Sequence, residues 1–346
     1  MKILVVDSFS DLGHNQFNSI QIRTLNHLGN SVYLVGKKNH FPSDVERIAQ
    51  KVYCIPNCLF NRDIKNSFGS FWDAIWEVIR LLYIRLFIYK KRFDYILFLR
   101  YNPLVHFLFY TSKTCFLFNH YSATELTNPL KRFCVLLCPN NFIHLALNDY
   151  IKGYIQKMLP NRQVFTVQHG LLEPFVLDGT CSYVNPNDKF VFCSATSSCD
   201  NELLSNIVES QDVVSYLETN NISLIIKSKL AFKECAVIKP ISGFISNEDY
   251  KYLISKSLCV FLPYDKSFGY RVSGVFFECV ANNTFVLASN IPAFNTYKHN
   301  GAPLYTVKNA QDFLRGIKDS IGNKLMWDKS FFSPEEDWNG IQSILL

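Results

Sequence analysis

Short apolar runs alternate with helical segments along the whole of this 346-residue chain. Near the start, the run at residues 2–6 is followed by a polar loop, by a helical pattern at residues 20–28 and by a second apolar run at residues 32–35. Runs that are apolar throughout are typical of strands buried on both faces of a parallel sheet. The order strand, helix, strand therefore predicts a βαβ unit.

A second series of the same kind fills the other half of the chain. A chain of 346 residues is too long for one hydrophobic core and suits two domains. We predict an α/β protein with two Rossmann-like, doubly wound domains at residues 1–170 and 171–330, and with residues 331–346 packing back on the first. Ligands of such folds bind beyond the carboxyl ends of the strands, so we expect a cleft between the domains to hold the site. The later predicted strands are 95–99, 115–118, 142–147, 164–167, 189–193, 222–226, 258–262 and 284–288, and the later predicted helices are 71–91, 201–217, 247–255 and 272–281.

Charge is spread unevenly between the two halves. Residues 1–170 contain 20 Lys and Arg against 10 Asp and Glu, a net charge of +10, whereas the remainder has 15 against 19, a net charge of −4. A basic half favours anionic partners such as lipid headgroups or diphosphate-linked lipids. It lacks a clustered basic stripe with a known reading motif, so we predict no nucleic-acid partner. Chance asymmetry between two domains is the alternative.

The predicted helix at residues 71–91 has an unusual composition. Asp73, Glu77, Arg80 and Lys91 fall close to one line at helical spacing, and aliphatic and aromatic side chains cover much of the rest. A wide apolar arc with Trp and flanking basic residues is typical of a helix lying in a membrane interface. It is equally typical of a helix buried between a sheet and its neighbours, and both interpretations stay open. The charges that interrupt the segment argue against a membrane span.

Eleven cysteines are scattered along the chain without zinc-ligand spacing. We therefore predict a reducing compartment and no metal site. The opening MKILVVDSF predicts a first strand rather than a signal peptide, so the expected location is the cytoplasm.

The segment FLPYDKSFGYRVSGVFFECVANNTFVLAS, residues 261–289, predicts strand, loop, helix, turn and strand. Ser273 and Gly274 fall at the helix start, where backbone amides can receive a phosphate and a glycine lets it approach closely. Arg271 adds a forked cation that suits phosphate. Glu278 follows Gly274 by one turn on the same helix face, where a carboxylate can accept ribose hydroxyls. An ordinary surface acid is the alternative, although the apolar neighbours of Glu278 argue against it.

Residues 241–289 resemble the C-terminal domain of GT-B glycosyltransferases, in particular the large retaining group known as family 4. The pieces ISGFISNEDYKYLISKSLCVFLPY and SFGYRVSGVFFECVANNTFVLAS match the order and spacing of its Gly-containing loop, helix, strand and E-x7-E helix. The segment VFTVQHGLLEP resembles the family's crossing between domains, and the opening KILVVDSFSDLGHNQFNSIQIRTLNHLGNSVYLVG resembles its first βαβ unit. The resemblance implies a GT-B fold and a nucleotide-sugar donor.

The resemblance also implies roles for residues that would bind the donor. Glu278 matches the acid that holds the donor ribose, and Ser273 and Gly274 match the helix start that faces the diphosphate. Phe244 and Ile245 match the loop that contacts the base. Lys227 and Lys229 end a predicted strand and would balance diphosphate charge, with solvated lysines as the alternative.

Two histidines are the candidate catalytic residues. His120 follows the predicted strand at residues 115–118, and the resemblance implies contact with the transferred sugar. It would alternatively act as a base toward the acceptor hydroxyl, because histidine titrates near neutral pH. His14, beside Gly13 in the first loop, is the second candidate, at a position that suits the acceptor or the donor phosphates. A structural role is the alternative for each histidine.

Two features depart from the family pattern. Tyr270 stands where the first acid of E-x7-E is expected, which leaves open the sugar and the retention of anomeric configuration. No DxD-like pair is placed to hold a metal, so we expect neither metal nor cofactor beyond a UDP- or GDP-sugar donor.

These features together predict a metal-independent, retaining hexosyltransferase. The expected acceptor is a glycan, lipid-linked, in the synthesis of a bacterial surface polysaccharide such as O-antigen, capsule or lipopolysaccharide. The enzyme would lie on the anionic inner face of the plasma membrane. The alternatives are another GT-B enzyme, such as an inverting transferase or a nucleotide-sugar epimerase, and a non-catalytic nucleotide-binding protein.

Overall fold

A computed structural model describes residues 1–8, 15–60, 69–89, 93–120, 122–171, 173–195, 198–299, 304–322 and 328–345. Contacts divide the chain into two compact units, of which the first comprises Met1–Gly170 with Phe332–Leu346 and the second comprises Leu171–Phe331. Each unit holds one parallel sheet with helices on it. The α/β class with two doubly wound sheets, predicted from the alternation of apolar runs, is confirmed.

The first unit contains a seven-stranded sheet of order β3-β2-β1-β4-β5-β6-β7. The order reverses between β1 and β4, so the loops that follow these two strands flank the position where doubly wound folds bind ligands. The strands are β1 Lys2–Val6, β2 Ser31–Lys37, β3 Lys51–Ile55, β4 Tyr95–Phe98, β5 Thr114–Phe118, β6 Phe142–Ala146 and β7 Val164–Thr166. The helices are α1 Asn15–His27, α2 Ser43–Ile48, α3 Gly69–Tyr83, α4 Ser122–Glu125, α5 Pro129–Leu136 and α6 Asp149–Met158, with 3-10 turns at Asn57–Leu59 and His106–Leu108.

The helix predicted at residues 71–91 begins two residues earlier than predicted, and its predicted end lies outside the described residues, which reach residue 89 here. It starts at Gly69, and after Tyr83 the backbone continues as a π-helical turn, Ile84–Ile88. Within its polar line, Glu77 and Arg80 are both buried, whereas Asp73 is exposed. Glu77 accepts hydrogen bonds from Ser8 Oγ at 2.6 Å and from Arg80 Nη2 at 2.9 Å. The ion pair thus packs inward, while apolar side chains of the same helix stay exposed.

The second unit contains a six-stranded sheet of order β10-β9-β8-β11-β12-β13. Here the order reverses between β8 and β11. The strands are β8 Lys189–Ser194, β9 Ile222–Lys227, β10 Ile238–Ile241, β11 Cys259–Leu262, β12 Phe285–Ser289 and β13 Leu304–Val307. The helices are α7 Asn201–Val208, α8 Gln211–Thr219, α9 Asn247–Lys256, α10 Gly274–Ala281, α11 Pro292–His299 and α12 Ala310–Gly322, with 3-10 turns at Lys266–Phe268 and Lys329–Phe332.

The single helix predicted at residues 201–217 is wrong. The structure has two helices there, α7 and α8, because Ser210 takes an extended conformation (φ −70°, ψ 118°) at the N-cap of α8. Serine at an N-cap followed by an acid in the first turn, Asp212, favours a new helix start. The edge strand β10 was not predicted, since Lys239 and Pro240 interrupt its short apolar pattern.

The last helix, α13 Glu335–Leu345, belongs to the first unit. Trp338 Nε1 donates to Gln21 Oε1 at 2.8 Å, and its ring packs edge-on against Phe116 and Phe118. Asp337 accepts from the backbone amide of Gln168 at 2.7 Å. These contacts hold the end of the chain on β5 and α1.

Candidate functional site

The start of α10 is built around Ser273. Its hydroxyl accepts from the amide of Phe276 at 3.2 Å and lies 2.9 Å from Tyr264 Oη, and the side chain is buried. Ser273 is therefore an N-cap, and its hydroxyl is occupied by the protein. The amides of Gly274 and Val275 lie in the first turn, before any carbonyl of the helix can accept from them, and they carry the positive end of the helix dipole.

Gly274 leaves open space in front of these amides. The residue is exposed, and a Cβ added to it would meet no atom within 4 Å. A glycine is therefore not required there by the packing of the protein. The space suits an anion that approaches the backbone closely, as a phosphate does at a helix start.

One turn further along α10, Glu278 is partly buried. Tyr250 Oη, from α9, donates to Glu278 Oε2 at 2.5 Å. Burial raises the pKa of Glu278, and the hydrogen bond from Tyr250 opposes that shift. The sequence did not single out Tyr250, because nothing local shows which face of α9 meets α10.

A second group of predicted residues lies at the end of β9. Lys227 Nζ donates to the carbonyl oxygen of Gly243, which has a positive φ of 76° and turns the chain beside Phe244. Phe244 is 92% exposed, so its ring is available to a ligand. Ile245 is 9% exposed, so its side chain belongs to the core and its backbone alone can face a base. Lys229 is exposed beyond the strand.

The group at the start of α10 follows β11, and the group around Lys227 follows β9. Both groups lie at the same edge of the second sheet, because β9 and β11 are parallel strands on either side of β8. The loops after β8 and β11 are joined by a bridge between Cys199 and Tyr264 and by the bond from the Asp265 amide to the Ser198 carbonyl, 2.8 Å. Arg271 and Tyr270 stand in the same loop as Tyr264, half-buried, just before α10.

The first unit contains a separate pocket of about 190 Å³ beyond the ends of β4 and β5. His120 lies in its wall and is 7% exposed, so the predicted catalytic histidine lines a cavity. Its ring packs edge-on against Phe17, with centroids 4.2 Å apart. His14 and Gly13 lie outside the described residues. The lining residues are Asp73, Arg100, Tyr101, Asn102, Leu104, Phe118, His120, Ser122, Glu125 and Lys131.

The polar lining of this pocket was not predicted, apart from His120. Lys131 of α5 pairs with Glu125 of α4, and Asp73 reaches the pocket from α3. Tyr101 Oη donates to Asn119 Oδ1 at 2.7 Å, which fixes the loop after β4. Carboxylates, amides and hydroxyls beside apolar side chains form the mixed surface on which a sugar, with its hydroxyls and C–H faces, can bind.

The elements around the pocket also carry exposed apolar side chains, which we term the apolar face: Trp72, Leu82, Leu86, Phe87, Leu108, Tyr110, Leu130, Phe133, Leu136 and Leu137. The π-helical turn meets the segment after the His106–Leu108 turn, since Arg85 lies over the Tyr110 ring with its Cζ 5.9 Å from the centroid. Helix α5 packs on that same turn. Large exposed apolar surfaces mark interaction sites.

Two negative observations apply to the described residues alone. No helix among them is long and apolar enough to cross a membrane. In the same part of the chain, no three His, Cys, Asp or Glu side chains converge as ligands of a metal ion.

Comparison with solved structures identifies the fold as GT-B. Anabaena HepE in complex with UDP-glucose aligns with a TM-score of 0.57 at 12% identity, covering 99% of this chain and 95% of that one. Sucrose-phosphate synthase from Thermosynechococcus elongatus aligns with a TM-score of 0.62 at 10% identity, covering 99% and 97%. The lipopolysaccharide outer core galactosyltransferase WaaB, in its apo form, aligns over all of both chains with a TM-score of 0.53 at 12% identity. No family model matches the sequence, and no curated protein matches it.

Proposed function

We propose that the protein is a glycosyltransferase that moves a hexose from a UDP- or GDP-sugar to a hydroxyl of a glycan acceptor. The observation that carries the proposal is the open start of α10, where Gly274 exposes backbone amides and Glu278 follows one turn later. The structural neighbours support it, since they include HepE with UDP-glucose bound.

The proposed donor site stabilises the departing diphosphate by electrostatics. The amides at the start of α10 and the helix dipole face the phosphates, and Arg271 adds a cation. Lys227 is fixed by the carbonyl of Gly243 at the end of β9, on the same sheet edge. Charge on the leaving group is then neutralised by protein groups, and we propose that the reaction needs no metal ion.

Substitution of Gly274 tests the donor site without disturbing the fold. Gly274→Ala places a methyl group in open space, so the melting temperature should stay unchanged while the phosphate loses its approach. We expect at least about a tenfold loss of nucleotide affinity, a cost of roughly 1.4 kcal/mol. Gly153→Ala is the matched control, because Gly153 also lies in a helix and its added Cβ meets nothing within 4 Å.

The measurement is a thermal-shift and calorimetric titration with UDP, GDP, ADP and CMP, since a ligand of the native state raises its melting temperature. Two results would contradict the proposal. One is a wild-type protein that binds none of these nucleotides. The other is a Gly274→Ala variant that binds as tightly as the Gly153→Ala control.

We propose that the acceptor binds in the pocket of the first unit, with His120 as the base or as a contact to the sugar. Replacement His120→Ala should then abolish transfer while leaving nucleotide affinity on the second unit unchanged. A loss of nucleotide affinity together with transfer would instead assign His120 a structural role through its packing with Phe17.

The apolar face leads us to propose a lipid-linked acceptor and a place on the inner face of the plasma membrane. The pocket takes residues from α3 and α5, the helices that carry half of the residues of this face. A glycan in the pocket would thus have apolar surface beside it for a lipid anchor. The role in surface polysaccharide synthesis rests on this chemistry. We also propose that the anomeric configuration is retained, and the anomer of the product tests this, because Tyr270 stands where the first acid of E-x7-E is expected.

A further inference from the structure

We propose that Tyr250 is a positioning residue for the donor: its hydroxyl holds one carboxylate oxygen of Glu278 and leaves the other for a ribose hydroxyl. This inference rests on the proposed function, because it assigns Glu278 to the ribose of a nucleotide. It adds Tyr250, which lies on a different helix from Glu278, to the donor site. It also implies that the site selects nucleotides by their ribose hydroxyls.

The geometry of the pair is well defined. Tyr250 belongs to α9 and Glu278 to α10, and the two helices pack against each other. The Oη–Oε2 distance of 2.5 Å is that of a short, charge-assisted hydrogen bond. The Tyr250 ring packs edge-on against Phe192 of β8, with centroids 6.3 Å apart, so the hydroxyl is held by the sheet as well as by its helix.

Only one of the two carboxylate oxygens of Glu278 accepts a hydrogen bond from the described residues of the protein. Within the described residues its side chain has one hydrogen bond, the one from Tyr250 to Oε2, and none to Oε1. An ionised carboxylate accepts at both oxygens, so Oε1 keeps its full capacity. The flanking residues Phe277 and Cys279 are fully buried.

The Tyr250 hydroxyl also favours the charged form of Glu278. Burial raises the pKa of Glu278, and the bond from Tyr250 is the interaction that opposes it. Without that hydroxyl the carboxyl group would keep its proton to a higher pH and would turn freely. A protonated carboxyl accepts ribose hydroxyls more weakly, so donor binding would lose both strength and selectivity for ribose.

The variant Tyr250→Phe removes the hydroxyl and keeps the ring against Phe192. Tyr252→Phe is the matched control, because Tyr252 lies on the same helix and is likewise largely buried. Calorimetric titration uses UDP or GDP, whichever binds the wild type more tightly, and its 2′-deoxy and 3′-deoxy forms. We expect the wild type to prefer the ribonucleotide over at least one deoxy form by about tenfold, and Tyr250→Phe to lose most of that preference.

Two further readouts separate positioning from a structural effect. In Tyr250→Phe, the fall in nucleotide affinity on acidification should begin at a higher pH than in the wild type. In addition, Glu278→Gln combined with Tyr250→Phe should bind no more weakly than Glu278→Gln alone. This double variant keeps the inference testable if Tyr250→Phe itself lowers the melting temperature.

Particular outcomes would overturn the inference. If the wild type binds a nucleotide and Tyr250→Phe keeps both its affinity and its ribose preference, Tyr250 does not position the carboxylate, although the proposed function stands. If Tyr250→Phe loses the same affinity for the ribonucleotide and for its deoxy forms, Tyr250 likewise does not position the carboxylate. If the wild type binds no nucleoside diphosphate, the proposed function fails and this inference fails with it.

Discussion

If the apolar face seats the protein on a bilayer, two adjacent exposed side chains of that face should carry a measurable part of the membrane affinity. Leu86 and Phe87 lie in the π-helical turn after α3 and are 53% and 65% exposed. Replacing both by serine removes apolar surface that the fold does not use. The Leu86→Ser/Phe87→Ser variant should therefore fold normally and bind membranes more weakly.

The size of the effect follows from the exposed fractions. Full burial of a Leu or Phe side chain is worth about 1.5–3 kcal/mol, and between a half and two thirds of each side chain remains to be buried. The pair then contributes about 1.8–3.5 kcal/mol, which corresponds to roughly a 20- to 400-fold lower partition coefficient. Nearby cations, including Arg85, would add attraction to anionic lipid. Raised salt should therefore weaken membrane binding of the wild type and of the Leu86→Ser/Phe87→Ser variant alike.

The assay is co-sedimentation with vesicles of phosphatidylglycerol and phosphatidylcholine. The matched control is Val176→Ser/Ile344→Ser, because these residues are 74% and 66% exposed but lie outside the apolar face. Equal binding by the wild type and Leu86→Ser/Phe87→Ser would refute the assignment of this face to lipid. An equal loss in the control would do so too, since it would show that exposed apolar surface acts anywhere.

Three further predictions concern single groups. Arg80→Ala should lower the free energy of unfolding, measured in urea, by about 3–5 kcal/mol, because it leaves the buried Glu77 carboxylate without its cation. The double variant Glu77→Leu/Arg80→Met should restore most of that loss. Equal stability of Arg80→Ala and the wild type would contradict this prediction. Gly170→Ala should destabilise by at least about 1 kcal/mol, since φ is 83° and the added Cβ would lie 2.3 Å from Ile20 Cγ2; an unchanged urea midpoint would contradict it. Nucleotide affinity should fall as the pH is lowered through the raised pKa of Glu278, beginning above the range of an exposed glutamate, and a profile that is flat there in calorimetry would contradict its proposed role.

The sequence predicts best those elements whose signal is local. The buried strands β1, β8 and β11 are runs of consecutive apolar residues, and each is found where its run lies. The start of α10 is likewise local, because a serine N-cap followed by glycine marks it. The fold class follows from the order of such elements.

Contacts between segments that are distant in the sequence could not be predicted from such local patterns. Glu77 and Arg80 fit the polar line of a surface helix, and only the partner Ser8, 69 residues away, shows why they point inward. Tyr250 and Glu278 are 28 residues apart on two helices, and their pairing depends on how those helices pack. The pocket around His120 combines residues from α3 to α5, so His120 alone could be predicted from its place after a strand.

The return of α13 to the first unit has a consequence for biosynthesis. The Trp338 ring covers Phe116 and Phe118, and Asp337 binds the Gln168 amide, so the first unit is completed by residues that are synthesised after the second unit. During translation, Phe116 and Phe118 of the nascent first unit would stay uncovered until the whole second unit has been synthesised. A fragment ending at residue 170 should accordingly be prone to aggregate, and adding a peptide of residues 332–346 should relieve it.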